Sequence, residues 1–274
     1  METKTFIHSG DMGDCIAGMA AVKEICERDN AKAKVVLDAT GGIYSPDVIQ
    51  MNPLGNKFNL KAAEFIKPLI EAQDYVAEVE IDTLGKYYAG TMKDEVDYDL
   101  NAFRRCFRDP SVQKKTNLNL EYLQQYALGL DYGYKGGWMD IKVDKEPKGI
   151  LFCRSTRYQS AHIGYEWMLA QAKRNNTPRK FIGTDLEYEC LKDCFRGLEP
   201  PRVKVSNALE LAKEIATSQE IVVNGTLALW IAYAIEHPNI THELAEDIPT
   251  TFYRWKEGQK HPNVRYLVGG HFVK

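Results

Sequence analysis

Short apolar runs recur along this chain, each followed by a polar, glycine-bearing turn and then by a stretch with apolar residues at helical spacing. Thr5–His8 reads as a buried strand, Ser9–Gly13 as the turn after it, and Asp14–Cys26 as a helix. Lys34–Asp38 is a second strand, ending in Thr40, Gly41 and Gly42. Phe65, Ile66, Leu69 and Ile70 give Leu60–Ile70 a helical period behind an Asn59 cap, and Tyr75–Val79 reads as a third strand. From Asp82 to Leu118 the chain is polar, aromatic and weakly periodic, and no element is assigned there. A helix over Leu120–Leu128 then closes at Gly129, a residue suited to the left-handed conformation after a helix end.

Asp144–Gly149 has the composition of a linker, and the strand–helix alternation restarts directly after it with Ile150–Cys153. Trp167–Arg174 reads as helix, Lys180–Ile182 as strand, Leu186–Phe195 as helix with Asp185, Glu187 and Glu189 in its first turns, and Val203–Val205 as strand. Leu209–Ala216 is helix, Glu220–Val223 strand and Leu227–Ile235 helix. Alternation with short connections is the pattern of a parallel sheet covered by helices on both faces. The expected architecture is therefore α/β, with two Rossmann-like β-α-β domains, residues 1–146 and 147–274, facing a cleft. Ligands of such sheets bind at the carboxyl ends of the strands.

Composition changes this picture little. Charged residues at 27% and hydrophobic ones at 44% belong to a chain that folds throughout. A net charge of −3 gives no global field toward nucleic acid or an anionic membrane. The N-terminus runs straight into a strand without the apolar core of a signal peptide, and no apolar run approaches the roughly 20 residues of a membrane span. Cys15, Cys26, Cys106, Cys153, Cys190 and Cys194 form no metal-ligand doublet, and Cys190 and Cys194, four apart on a helix, read as two buried thiols. A reducing, cytoplasmic location is the simplest expectation.

The candidate chemistry lies in the turns. In Ser9-Gly10-Asp11-Met12-Gly13-Asp14, glycines allow close backbone approach, and Asp14 either caps the helix or takes a proton from a hydroxyl. In Cys153-Arg154-Ser155-Thr156-Arg157-Tyr158, two guanidiniums and two hydroxyls past a strand make either a diphosphate clamp or a solvated loop. Asn224-Gly225-Thr226 opens a small-residue helix in a manner suited to phosphate or ribose. Gly183-Thr184-Asp185 is a weaker copy that capping alone could explain. The histidines His8, His162, His237, His242, His261 and His271 show no metal spacing, and Arg104, Arg105, Arg108, Lys114 and Lys115 read as a solvated basic face.

Taken together, these turns resemble the glycosyltransferases of the GT-B fold related to lipopolysaccharide heptosyltransferases, the family 9 group with its shorter viral and bacterial relatives. The stretch His8–Lys23 is similar to their opening, with Gly13-Asp14 as the pair that begins the first helix and Ala20 where proline is common. Phe181–Glu187 is similar to their strand and acidic helix start, and Asn224–Thr226 with Ile231–Ile235 to their phosphate-binding turn and helix. Asn224 stands where the family has aspartate, and no histidine follows, a departure that bears on the heptose donor and not on the fold.

The resemblance implies a metal-independent glycosyltransferase that takes a nucleotide sugar as donor substrate and needs no further cofactor. Asp14 would be the base and Asp11 would lie on the acceptor side, in an N-terminal acceptor domain. Gly13, Arg154, Ser155, Arg157, Gly183, Thr184, Asn224, Gly225 and Thr226 would surround the donor, held mainly by the C-terminal domain. The leaving-group charge would fall to arginines and helix dipoles. An inactive nucleotide- or sugar-binding module and a nucleotide-sugar epimerase are the alternatives, and the acceptor hydroxyl is left open.

Overall fold

The computed structural model describes residues 1–40, 58–87, 90–106, 109–112, 119–133, 135–156, 158–159, 173, 175–194, 199–244, 263–268 and 271–273. Contacts divide these residues into two compact units, one of Met1–Asp140 and the other, in the main, of the residues from Ile141 onward.

In the first unit β1 (Glu2–His8) leads into α1 (Met12–Asp29), followed by β2 (Ala31–Asp38), α2 (Leu60–Glu71), β3 (Val76–Asp82), β4 (Tyr98–Asp99), α3 (Phe103–Cys106) and α4 (Leu120–Ala127). The strands form one parallel sheet in the order β3-β2-β1-β4. Val35, Val36 and Leu37 are buried on successive positions, so β2 is a continuous apolar run and does not alternate; Val36 packs with Ile7 against Tyr87, Met92 and Val96. Side-chain caps set the helix starts: Asn59 accepts from the Ala62 N–H at 2.9 Å and Asn119 from the Tyr122 N–H at 3.1 Å. Helix α1 stops at Asn30, whose left-handed φ of 49° turns its N–H back to the carbonyls of Cys26 and Glu27.

Helices α1 and α4 pack closely because Gly18 has no side chain. A Cβ there would lie 2.2 Å from Gln124 Oε1, while the Gln124 amide donates to the Asp14 carbonyl at 2.6 Å. The buried Trp138 indole donates to the Ile16 carbonyl at 2.7 Å, tying the end of this unit to the same helix.

The second unit contains β5 (Ile150–Cys153), β6 (Arg179–Phe181), α5 (Asp185–Cys194), α6 (Ala208–Ala216), β7 (Glu220–Val223), α7 (Leu227–Ala234), β8 (Ile240–Leu244), β9 (Val264–Val268) and β10 (His271–Val273). Its sheet runs β10-β9-β8-β7-β5-β6, parallel except for the β10–β9 pair. Every residue of α7 from Ala228 to Ala234 is buried, so this helix is core on all sides. At Gly149, just before β5, φ is +75° and a Cβ would lie 2.4 Å from the Pro178 carbonyl oxygen, so glycine is required on both counts.

Several sequence expectations change. Helix α1 begins at Met12 and not at Asp14, so Gly13 is helical and the N-cap position belongs to Asp11. Asp14 sits in the first turn, where a carboxylate complements the helix dipole. Among the described residues Val203–Val205 is not a strand; one bridge, Phe181 to Arg202, is all that forms there. Cys190 is half-buried, with its sulfur 3.3 Å from the Gln159 amide nitrogen, rather than buried in the core. The expected helix over Trp167–Arg174 lies outside the described residues apart from Lys173.

Candidate active site

In a doubly wound sheet, ligands bind where the strand order reverses, because the connections from the two neighbouring strands leave in opposite directions and open a crevice. In the first sheet β1 is flanked by β2 on one side and β4 on the other; in the second, β5 is flanked by β6 and β7. The residues to inspect are therefore those just after β1 and β4, and just after β5 and β7.

After β1, Ser9 donates its N–H to Asn101 Oδ1 at 3.2 Å, and after β4 an Arg104 Nη2 meets Asp14 Oδ2 at 2.5 Å. Asp14 and Arg104 are 18% and 36% exposed, so the pair is accessible but not freely solvated. Beneath it lies His8, fully buried, with Nε2 3.1 Å from both the Gly10 nitrogen and the Asp11 carbonyl oxygen. Burial, and then the charge of Arg104, push His8 down to about 3, so the imidazole is neutral at neutral pH. Gly10 has an ordinary φ, yet a Cβ would lie 2.6 Å from Arg104 Nη2, 3.0 Å from His8 Cε1 and 3.3 Å from Asp14 Oδ2. Space, and not a special turn, is what glycine supplies here.

After β5 and β7 the second unit builds a buried polar layer. The Asn224 side chain accepts from the Ser155 N–H at 3.0 Å and donates to the carbonyls of Ser155 at 2.9 Å and Tyr158 at 3.2 Å, extending the sheet's pairing by one side-chain amide. Arg154 reaches Glu243 at the end of β8 through two bonds, Nε to Oε2 at 2.9 Å and Nη2 to Oε1 at 3.1 Å. Their side chains are 2% and 0% exposed, so this is a buried bidentate pair. Thr226 occupies the N-cap position of α7 without making a side-chain cap, and its buried hydroxyl oxygen has no hydrogen-bond partner among the described residues. Such an atom costs free energy unless a ligand or water satisfies it.

The sequence-predicted residues thus separate. Asp11, Gly13 and Asp14 cluster at the first switch point; Arg154, Ser155, Asn224, Gly225 and Thr226 at the second. A diphosphate at Arg154 would have to compete with Glu243 for the guanidinium. Thr184 and Glu187 satisfy each other in a reciprocal capping box, Thr184 N to Glu187 Oε2 at 2.7 Å and Glu187 N to Thr184 Oγ1 at 3.2 Å, with Gly183 packed against Phe181 and Glu187. Arg157 lies outside the described residues. Sequence reasoning missed Arg104, Asn101, His8 and Glu243 as parts of these constellations. None carried a local signal; Glu243 is an acid buried within the strand Ile240–Leu244, which its polar residues conceal in the sequence.

Comparison with known proteins agrees with this topology. No protein-family model and no curated protein matches the sequence. Among solved structures, Escherichia coli heptosyltransferase WaaC with ADP superposes at TM-score 0.61 and 12% identity, covering 99% of this chain and 95% of that one. A glycosyl transferase family 9 protein from Veillonella parvula gives 0.61 at 9% identity, covering 97% and 86%. Escherichia coli ADP-heptose lipopolysaccharide heptosyltransferase II gives 0.52 at 13%, covering 97% and 90%. The fold is GT-B. In GT-B terms the first unit is the N-terminal Rossmann-like domain and the second the C-terminal one. Among the described residues no helix is long and apolar enough to cross a membrane, and no three potential metal ligands gather.

Proposed function

We propose that this protein is a glycosyltransferase, working without a metal, that moves a sugar from a nucleotide-sugar donor to an acceptor hydroxyl in the cytoplasm. The observation that carries the reading is the chemistry at the two switch points of a GT-B fold: an oriented carboxylate, Asp14, in the first unit, and a buried threonine hydroxyl in want of a partner, Thr226, at a helix start in the second. In the reaction the acceptor oxygen forms a bond to the anomeric carbon while the bond from that carbon to the diphosphate oxygen breaks. The hydroxyl proton passes to Asp14. The nucleoside diphosphate leaves with the electron pair; in the second unit the Thr226 hydroxyl and the first turn of α7 are the groups suited to take a diphosphate's charge. Asn224 and the Arg154–Glu243 pair position the Ser155 turn beside that site.

The test is a donor panel assayed for transfer and for hydrolysis, with Asp14→Asn beside the wild type. Removing a general base lowers the rate by roughly 10²–10⁴. Asp14→Asn should lose that much turnover while donor binding and melting temperature stay near wild type. Normal turnover in Asp14→Asn would refute the assignment. Binding of a nucleotide sugar by the wild type with no turnover of any donor would make the protein a binding module instead.

A further inference from the structure

We propose that Arg104 is the positioning residue of the first site, holding the Asp14 carboxylate in the orientation from which it takes the acceptor's proton, and that Gly10 is glycine to leave room for that guanidinium. The proposal rests on the reading of Asp14 as the base. Arg104 and Asp14 are 90 residues apart in sequence and meet at 2.5 Å because the short strand β4 pairs with β1 and delivers α3 to the mouth of the β1–α1 turn. Three contacts fix the arm that carries Arg104. Leu100 donates its N–H to the Ile7 carbonyl at 2.9 Å, Asn101 Oδ1 accepts from Ser9, and the Arg104 N–H bonds the Asn101 carbonyl at 3.0 Å. The guanidinium carbon lies 5.0 Å from the centroid of the Phe103 ring, itself buried at the base of α3.

Other described polar groups lie near Asp14, each in a different relation to it. His8 below it is held neutral, so it brings no positive charge. Asp11, one helical turn earlier, is of like sign. Gln124 on α4 binds the Asp14 backbone carbonyl and not its carboxylate. A half-exposed ion pair contributes little to stability, so stability alone gives no reason to build an arm for it. The close packing of Gly10 under the pair is the second, independent mark: a methyl there collides first with Arg104 Nη2, the movable end of a side chain, and only then with His8. Gly10→Ala therefore displaces the guanidinium without removing any charge.

Two measurements on the full chain test this with Arg104→Gln, Arg104→Lys and Gly10→Ala: transfer kinetics, and titration of the Asp14 carboxyl carbon by NMR in aspartate-labelled protein. Arg104→Gln is expected to lower kcat at least tenfold with the donor KM unchanged, Arg104→Lys to recover most of that loss, and Gly10→Ala to follow Arg104→Gln. The Asp14 midpoint should rise in Arg104→Gln, since a neighbouring cation favours the charged carboxylate, and stay in place in Arg104→Lys. A wild-type kcat in Arg104→Gln, or an unmoved midpoint, overturns the proposal. If the wild type transfers from no donor, the transferase reading fails and the titration alone decides the role of Arg104. Should Arg104→Gln not fold, Gly10→Ala carries both measurements, with the same result expected and the same result fatal.

Discussion

Truncating Glu243 to alanine would leave the Arg154 guanidinium buried without its counter-charge. The two side chains are 2% and 0% exposed and joined by bonds of 2.9 and 3.1 Å, so neither can turn to water without opening the layer between β5 and β8. Breaking a buried pair from one side typically costs about 3–5 kcal/mol, whereas replacing both partners with apolar residues of similar volume is often neutral. Glu243→Ala should therefore destabilise the second unit by about 3–5 kcal/mol, a fall in Tm on the order of 10–20 °C for a unit of this size. The double variant Arg154→Met/Glu243→Leu should return to within about 1 kcal/mol of wild type. Urea unfolding followed by tryptophan fluorescence suits the assay, because Trp230 is buried in this unit. A loss below about 1 kcal/mol in Glu243→Ala would mean that water reaches the pair, and the buried-pair argument would fail. The double variant also separates two roles for Arg154: retained nucleotide-sugar affinity makes it structural, while a tenfold loss means that it touches the donor.

Gly18→Ala sets a methyl 2.2 Å from Gln124 Oε1, so α1 and α4 must part or Gln124 must release the Asp14 carbonyl; a net loss of about 1–2 kcal/mol is expected by thermal melting, part of it regained with Gln124→Ala, and a more stable Gly18→Ala would sink the packing argument. Acid should destabilise the fold through its buried histidines. His8 and His242 are pushed down to about 3 and His237 is lowered, each chiefly by burial, so between about pH 6.5 and 3 the unfolded chain binds protons that the folded one refuses. Stability is then present above about pH 6.5 and falls as the pH drops, by up to ~1.4 kcal/mol per unit for each such histidine. His242→Asn, whose amide takes the place of Nδ1 and can still hydrogen-bond the Tyr233 hydroxyl, should show a shallower fall of the urea midpoint with pH, and an identical slope would count against it.

Much of the fold was legible because its signals are local. The buried parallel strands Ile150–Cys153 and Glu220–Val223 stand out as short apolar runs between turn residues, and their observed bounds match the reading. Asn59 and the Gly129 conformation, φ +72°, likewise act through their immediate neighbours. Strand β4 escaped because it is two residues long and lies in an aromatic, polar segment with no period of its own; pairing with β1 and not its own sequence makes it a strand. The strands β8, β9 and β10 were not assigned, and β8, Ile240–Leu244, hides its nature behind Thr241, His242 and Glu243, polar residues buried only because partners await them.

The site divides along the same line. By itself the sequence placed the turns after their strands, since a glycine, an acid or an amide directly after a strand is a local statement, and Asp14, Ser155, Asn224 and Thr226 were all singled out that way. The tertiary structure decided what each of them is bonded to. Arg104 comes to Asp14 across 90 residues and Glu243 to Arg154 across 89, through strand pairings that no window of sequence contains. Charge then takes its meaning from burial: Arg154 and Arg104 look equivalent as letters, but one is sealed in a buried pair at the carboxyl ends of interior strands and the other stands half-exposed over a carboxylate, because the Coulomb and solvation energies of a side chain depend on what surrounds it in space and not on its neighbours in the chain.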